Sequence, residues 1–220
     1  MNTNRILVST SRLAALTLCA LSAACSGSPD GSGDPTDEGA TSENTAVSAV
    51  GTRSAIVDVA LANKGKGACS NNSRGGRGFD SSCAGNGGLP EYWCADFARW
   101  VWAAAGVKDT DQLTAAAGSF YLYGEHHGTL SSKPEVGDVA VFDYKGNGVA
   151  DHVAIVVRVD SSGTIETISG DWEGHGNTEA GFSSTSHVIV NTPAYSDKLH
   201  SWSGTMAMRV DGFVRPLGVK

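Results

Sequence analysis

The sequence predicts an α+β fold, with N-terminal helices packed on a small antiparallel β-sheet. Two observations carry this. Between residues 52 and 123 apolar residues recur at helical spacing, and from Pro134 onward they gather in short runs divided by turn residues. Helices first, then strands joined by short turns, argue for segregated layers rather than alternating βαβ units. The hydrophobic share of 40% and five tryptophans are enough for a real core.

The elements follow in order. Residues 52–64 place Ile56, Val57, Ala60 and Leu61 on one helical face after a Ser/Thr start, and Gly65 and Gly67 end the helix. Residues 65–90 are glycine-rich and irregular. A second helix is predicted over 95–105, with Phe97, Trp100, Val101 and Ala104 on one face, Asp96 and Arg99 on the other, and Gly106 as its cap. A third is expected over 113–123, burying Phe120 and Tyr123. Strands are predicted at 139–142, 153–159, 164–168, 187–190 and 212–214. Asn147-Gly148 is a hairpin signal, and residues 160–163 turn again.

The chain before residue 52 reads differently. Arg5 and Arg12 precede a dozen apolar and small residues, too few for a bilayer span of roughly 20. That is the pattern of an export signal, and small residues before Cys25 resemble a lipoprotein processing site. Residues 1–25 are therefore expected to be a signal of lipoprotein type with Cys25 as the lipidated residue, an ordinary signal cut near Ala24 being the alternative. Residues 26–51 hold five acids, no base before Gly51 and little apolar surface, so they are expected to form a disordered tether. The part from 52 to 220 is the expected folded domain. It has 14 Lys+Arg against 18 Asp+Glu, which gives no basic face for nucleic acid.

Three cysteines remain beyond Cys25: Cys69, Cys83 and Cys94. An odd count in an exported chain suggests one pair and one free thiol. Cys69 and Cys83 flank a loop poor in core residues, where a bridge could contribute about 3 kcal/mol. That pairing is expected, against both being reduced or one pairing with Cys94.

Cys94 stands beside Trp93 where the second helix begins. A helix N-terminus favours the thiolate, and a nearby imidazole can take its proton. His152 opens an apolar strand and is the candidate base. A third polar group must hold the other ring nitrogen. The strand at 164–168 should run antiparallel to the His152 strand, bringing Ser169-Gly170-Asp171 level with His152. Asp171 is the expected orienting residue, with Ser169 behind it.

These pieces resemble the CHAP family, the cysteine, histidine-dependent amidohydrolase/peptidases with a papain-like fold. The matching segments are residues 55–60, Tyr92-Trp93-Cys94-Ala95-Asp96-Phe97, residues 134–139, Asp151-His152-Val153-Ala154-Ile155-Val156 and residues 212–216, in family order. The resemblance implies Cys94 as nucleophile and His152 as base. It places Asp171 where the family often carries asparagine and Ser169 where it often carries glutamate. It implies cleavage of an amide in peptidoglycan or muropeptides, either N-acetylmuramoyl-L-alanine or a stem or cross-bridge peptide bond. Tyr92 and Trp93 are the nearest candidates to line a substrate cleft. No cofactor is implied, and the chain is expected to act as a monomer that meets the membrane only through a lipid anchor.

His126, His127 and His175 lack further ligands at metal-site spacing, so no metal is expected. The loop 143–154 has Lys145 and Ala154 where a calcium loop needs oxygen ligands, and reads as a hairpin. Two other readings stay open: a wall-binding lipoprotein without turnover, and a secreted cysteine amidase or peptidase effector acting on a non-wall amide.

Overall fold

The computed structural model describes residues 52–196, 198–203 and 206–220. The export segment, Cys25 and the tether lie outside the described residues. Helix α1 spans Arg53–Leu61 and is capped by Thr52, whose Oγ1 accepts the Ala55 N–H at 3.1 Å. Its first N–H donates to the carbonyl of Lys220, so the ends of the described chain meet. Helix α2 spans Cys94–Ala104, α3 Gly118–His127 and α4 Glu179–Thr185.

Seven strands follow the first helices: β1 Leu130–Ser131, β2 Val139–Phe142, β3 His152–Val159, β4 Thr164–Trp172, β5 His187–Ser196, β6 Trp202–Ser203 and β7 Met208–Val214. The order is β1-β7-β2-β3-β4-β5, with β6 on β7, and every pairing is antiparallel. The predicted α+β class is the observed one. The third helix begins and ends later than its apolar spacing suggested, though Phe120 and Tyr123 are buried as expected.

The sheet has two unlike faces. Val153, Ile155 and Ile168 point to the helices, where Trp93, Phe97, Val101 and Trp102 form the main core. Ala154, Val156, Ile165, Phe142 and Phe213 point away and form a second, smaller cluster. Helix α2 lies close on β4 because residue 170 is glycine: a Cβ there would sit 2.5 Å from the Trp93 ring.

The glycine-rich segment before α2 is held by its own polar groups. Cys69 and Cys83 are joined by a disulfide with their Cα atoms 4.8 Å apart. Asn72 donates to Gly78 O at 2.6 Å and accepts from Arg74 N–H. Phe79 is fully buried and stacks on Trp93 at 5.5 Å. This segment also covers the supposed polar face of α2. Asp96 is fully buried, accepts from Ser81 Oγ at 2.8 Å and pairs with Arg99, which in turn reaches Asp80 at 2.6 Å.

Candidate active site

Cys94 is the first residue of α2, 6% exposed, and is the free cysteine among the described residues. It opens onto a cavity of about 410 Å³ whose walls include Tyr92, Ala116, Val149, His152, Asp171 and Glu179. The backbone N–H groups of Val153 and Ala95 favour its thiolate, though less than burial opposes it. One wall is the hairpin after β2. It packs tightly on the start of α3, where a Cβ on Gly118 would fall 1.8 Å from Gly148 O. The hairpin is braced by Tyr144, whose hydroxyl accepts the Gly148 N–H at 3.2 Å, and by the Lys145–Asp151 ion pair at 2.7 Å.

The electrostatics of the thiol run against the helix-start expectation. Burial, and then the charge of Asp171, push the Cys94 thiol from 9.0 up to about 12. A rise of that size disfavours the thiolate by about 4 kcal/mol, more than the roughly 2 kcal/mol that a helix terminus supplies at best. Burial likewise pushes His152 from 6.5 down to about 3. The resting pair is a neutral thiol and a neutral imidazole.

His152 is 4% exposed and opens β3 opposite Phe142. Its ring packs between Phe142, at 6.0 Å, and Trp172, at 5.0 Å. These neighbours belong to the face away from α2, but His152 is the terminal residue of the strand and still lines the cavity. Nε2 is buried without a partner. Nδ1 is not among the buried unpaired atoms, and the residue lines the cavity.

Asp171 is placed differently from the expectation. It is 6% exposed and lines the cavity with Cys94, but its Oδ1 accepts from Ser186 Oγ at 2.8 Å. Ser186 Oγ in turn accepts from Trp93 Nε1 at 2.8 Å. No hydrogen bond joins Asp171 to His152 among the described residues. The cause is local. The pairing of β4 with β5 shifts between Ser169 and Trp172, and Asp171 takes a left-handed φ of 57°, which turns its side chain to the helix face. Burial raises the Asp171 carboxyl from 3.8 to about 6, against the hydrogen bond from Ser186.

Of the two residues expected to line the cleft, only Tyr92 does so, 54% exposed. Trp93 is fully buried, because it is the N-cap residue whose ring turns inward onto Phe79. Sequence reasoning missed Ser186, Glu179 and the Ala116–Gly118 wall. Glu179 had a readable signal, since Thr178 caps α4 by accepting the Gly181 N–H. Ser186 had none.

No group of three His, Cys, Asp or Glu suited to a metal ion occurs among the described residues. No described helix is long and apolar enough to cross a membrane.

Comparison with known proteins bears on the same stretch. No curated protein matches the chain. A solved N-acetylmuramoyl-L-alanine amidase from Staphylococcus aureus is similar over 55% of this chain and 39% of its own, at 16% identity and a TM-score of 0.31. The chain thus spans well under half of that protein's length, and so slight a likeness carries no weight for the fold. Residues 85–171 match the model of the CHAP domain. Cys94, His152 and Asp171 all lie within that match, so over this stretch the chain is similar to the CHAP family.

Proposed function

We propose that this protein is an exported thiol-dependent peptidoglycan hydrolase, with Cys94 as nucleophile and His152 as base. The observation that carries the reading is a lone unpaired thiol sharing one cavity with an imidazole nitrogen, inside the CHAP match. Residues 1–25 are its export signal with Cys25 lipidated, residues 26–51 its tether, and residues 52–220 its catalytic domain.

The chemistry begins from the neutral pair. As the sulfur adds to the substrate carbonyl carbon, His152 Nδ1 takes the thiol proton, and the Cys94 backbone N–H donates to the developing oxyanion. The carbon–nitrogen bond then breaks, and Nδ1–H protonates the leaving amine. A water molecule replaces the amine. Nδ1 removes its proton as the oxygen adds to the thioester, and collapse releases the carboxylic acid and the thiol. Asp171 lines the same cavity, and its carboxylate, where ionised, disfavours the Cys94 thiolate rather than orienting the imidazole. Tyr92 lines the entrance for the substrate.

The test is digestion of purified sacculi by the mature protein under reducing conditions, with mass spectrometry of the fragments. New amine termini that vanish with Cys94→Ala support the reading, and their identity names the bond. Sedimentation with sacculi but no cleavage would point to a wall-binding lipoprotein. Cleavage of non-wall amides alone would point to an effector.

A further inference from the structure

The hairpin that walls the Cys94 cavity has a second side. Gly148, near its tip, lines three neighbouring hollows. The first is the Cys94 cavity. The second, of about 350 Å³, shares Ala116 with the first. The third, of about 470 Å³, shares Leu122 with the second. The three thus adjoin around the seam where α3 meets the hairpin. The seam is close: a Cβ on Gly148 would lie 3.4 Å from Leu122 Cδ1.

The third hollow is walled in part by Tyr121, Glu125, Tyr144, Asn147, His200 and Asp211. Tyr121 comes from α3 and Tyr144 from the hairpin, and their rings stack at 3.8 Å with 12° between the planes. Two stacked rings make a stiff surface, apolar in its body and polar at its tips. Asp211 is held in place: its Oδ2 accepts the Tyr144 N–H at 2.7 Å, and its Oδ1 faces His200 Nδ1 at 2.9 Å. His200 keeps its position on a left-handed backbone, φ 59°, which is uncommon away from glycine. The Tyr121 hydroxyl and the Glu125 carboxylate make no hydrogen bond among the described residues. Burial, and then the charge of Glu125, push the Tyr121 phenol up from 10.0, so it stays a neutral donor.

These groups choose among ligands. The walls hold two carboxylates and neither lysine nor arginine, so a phosphate or other anion is disfavoured. A wholly apolar ligand would strip water from the polar rim without replacing its hydrogen bonds. A saturated sugar ring meets both demands. Its C–H face lies on a tyrosine ring, while its hydroxyls donate to Glu125 and Asp211 and accept from Tyr121. Leu122, 47% exposed, offers apolar contact for an acetyl methyl.

We propose that this hollow is a sugar subsite, taking an N-acetylhexosamine ring of a glycan whose attached amide occupies the Cys94 cavity. The middle hollow, walled by the small side chains of Thr114, Ala116 and Ser119 among others, carries the substrate between the two. That the sugar is joined to the scissile amide rests on the hydrolase reading. The affinity for a sugar ring does not.

The first test uses no cleavable substrate. Amide correlation spectra of the labelled mature protein are titrated with the soluble N-acetylglucosamine tetramer. Saturable shifts are expected at Tyr121, Glu125, Tyr144 and His200, with binding about three- to tenfold weaker in Tyr121→Ala. Tyr144 is not the residue to change, because its hydroxyl braces the hairpin. Glu125→Ala, at an exposed position, should weaken binding by a similar factor and carries the test if Tyr121→Ala does not fold. The absence of saturable shifts, shifts confined to the Cys94 cavity, or titrations unchanged in the folded variants would overturn the inference. The second test compares a stem peptide carrying its disaccharide with the same peptide free of sugar. The wild type should favour the sugar-bearing form in kcat/KM, and that preference should fall about three- to tenfold in Tyr121→Ala. Equal kcat/KM for the two forms would also overturn it. Sugar binding without cleavage of sacculi would leave the subsite standing and sink the hydrolase reading instead, and cleavage without sugar binding would do the reverse.

Discussion

The two faces of the sheet meet at the first residues of β3, and they are furnished in opposite ways. On the helix face, the polar groups near Cys94 form a closed chain: Trp93 Nε1 donates to Ser186, and Ser186 donates to Asp171. On the far face, the ring of His152 lies among apolar side chains with Nε2 unpaired. On the proposed reading, the nucleophile Cys94 is positioned by the fold itself. His152, the base of that reading, is held by the packing of its ring against Phe142 and Trp172. Damage to the polar chain of Trp93, Ser186 and Asp171 should therefore be read in stability, and damage to Cys94 or His152 in turnover.

The largest expected effects are at the two reacting groups. Cys94→Ala should lower hydrolysis on the order of 10⁴-fold or more with the fold retained, measured by fragment release from sacculi alongside circular dichroism. His152→Ala should lower kcat by roughly 10²- to 10⁴-fold. If either variant keeps near-normal turnover, the faces do not divide the work as described.

Asp171→Asn sharpens the comparison through pH. The folded carboxyl titrates near 6 against 3.8 for the free group, so the folded chain holds the extra proton between those values. The stability this group contributes is full below pH about 4 and is lost as pH rises through about 6. Asparagine carries no such proton. The variant should thus gain on the wild type by up to about 3 kcal/mol across that window, seen as a difference in denaturation midpoints. A difference that is flat with pH would contradict the buried placement of Asp171.

Ser186→Ala removes the shared partner of Trp93 and Asp171. It should cost about 1–3 kcal/mol in chemical denaturation, with a smaller effect on turnover than His152→Ala has. The smallest effect is expected at Tyr92→Ala, an exposed cleft residue: a rise in KM of roughly threefold to tenfold with kcat and stability unchanged.

Much of this was legible in the sequence, for identifiable reasons. The second helix, expected over 95–105 and found one residue earlier, the strands expected at 139–142 and 153–159 and the Cys69–Cys83 bridge follow from helical spacing, alternation and cysteine arithmetic. The antiparallel pairing of β3 with β4 was also sound. What it could not carry was the left-handed turn at Asp171, which sends the side chain to the other face. The burial of Asp96 was hidden for a different reason. Helical periodicity set it outward with Arg99, and the segment that covers it has no periodicity to read. The thiol was judged by the helix dipole, a local term, while its titration is governed by burial, which only the packed structure reveals.

The disulfide has one further consequence. The folded part carries three thiols, and only one pairing, Cys69 with Cys83, leaves Cys94 free. Either wrong partner would seal the reacting sulfur inside a covalent bond. On the hydrolase reading, turnover therefore reports correct oxidation: a molecule with either wrong pairing stays silent until a reductant or isomerase releases it.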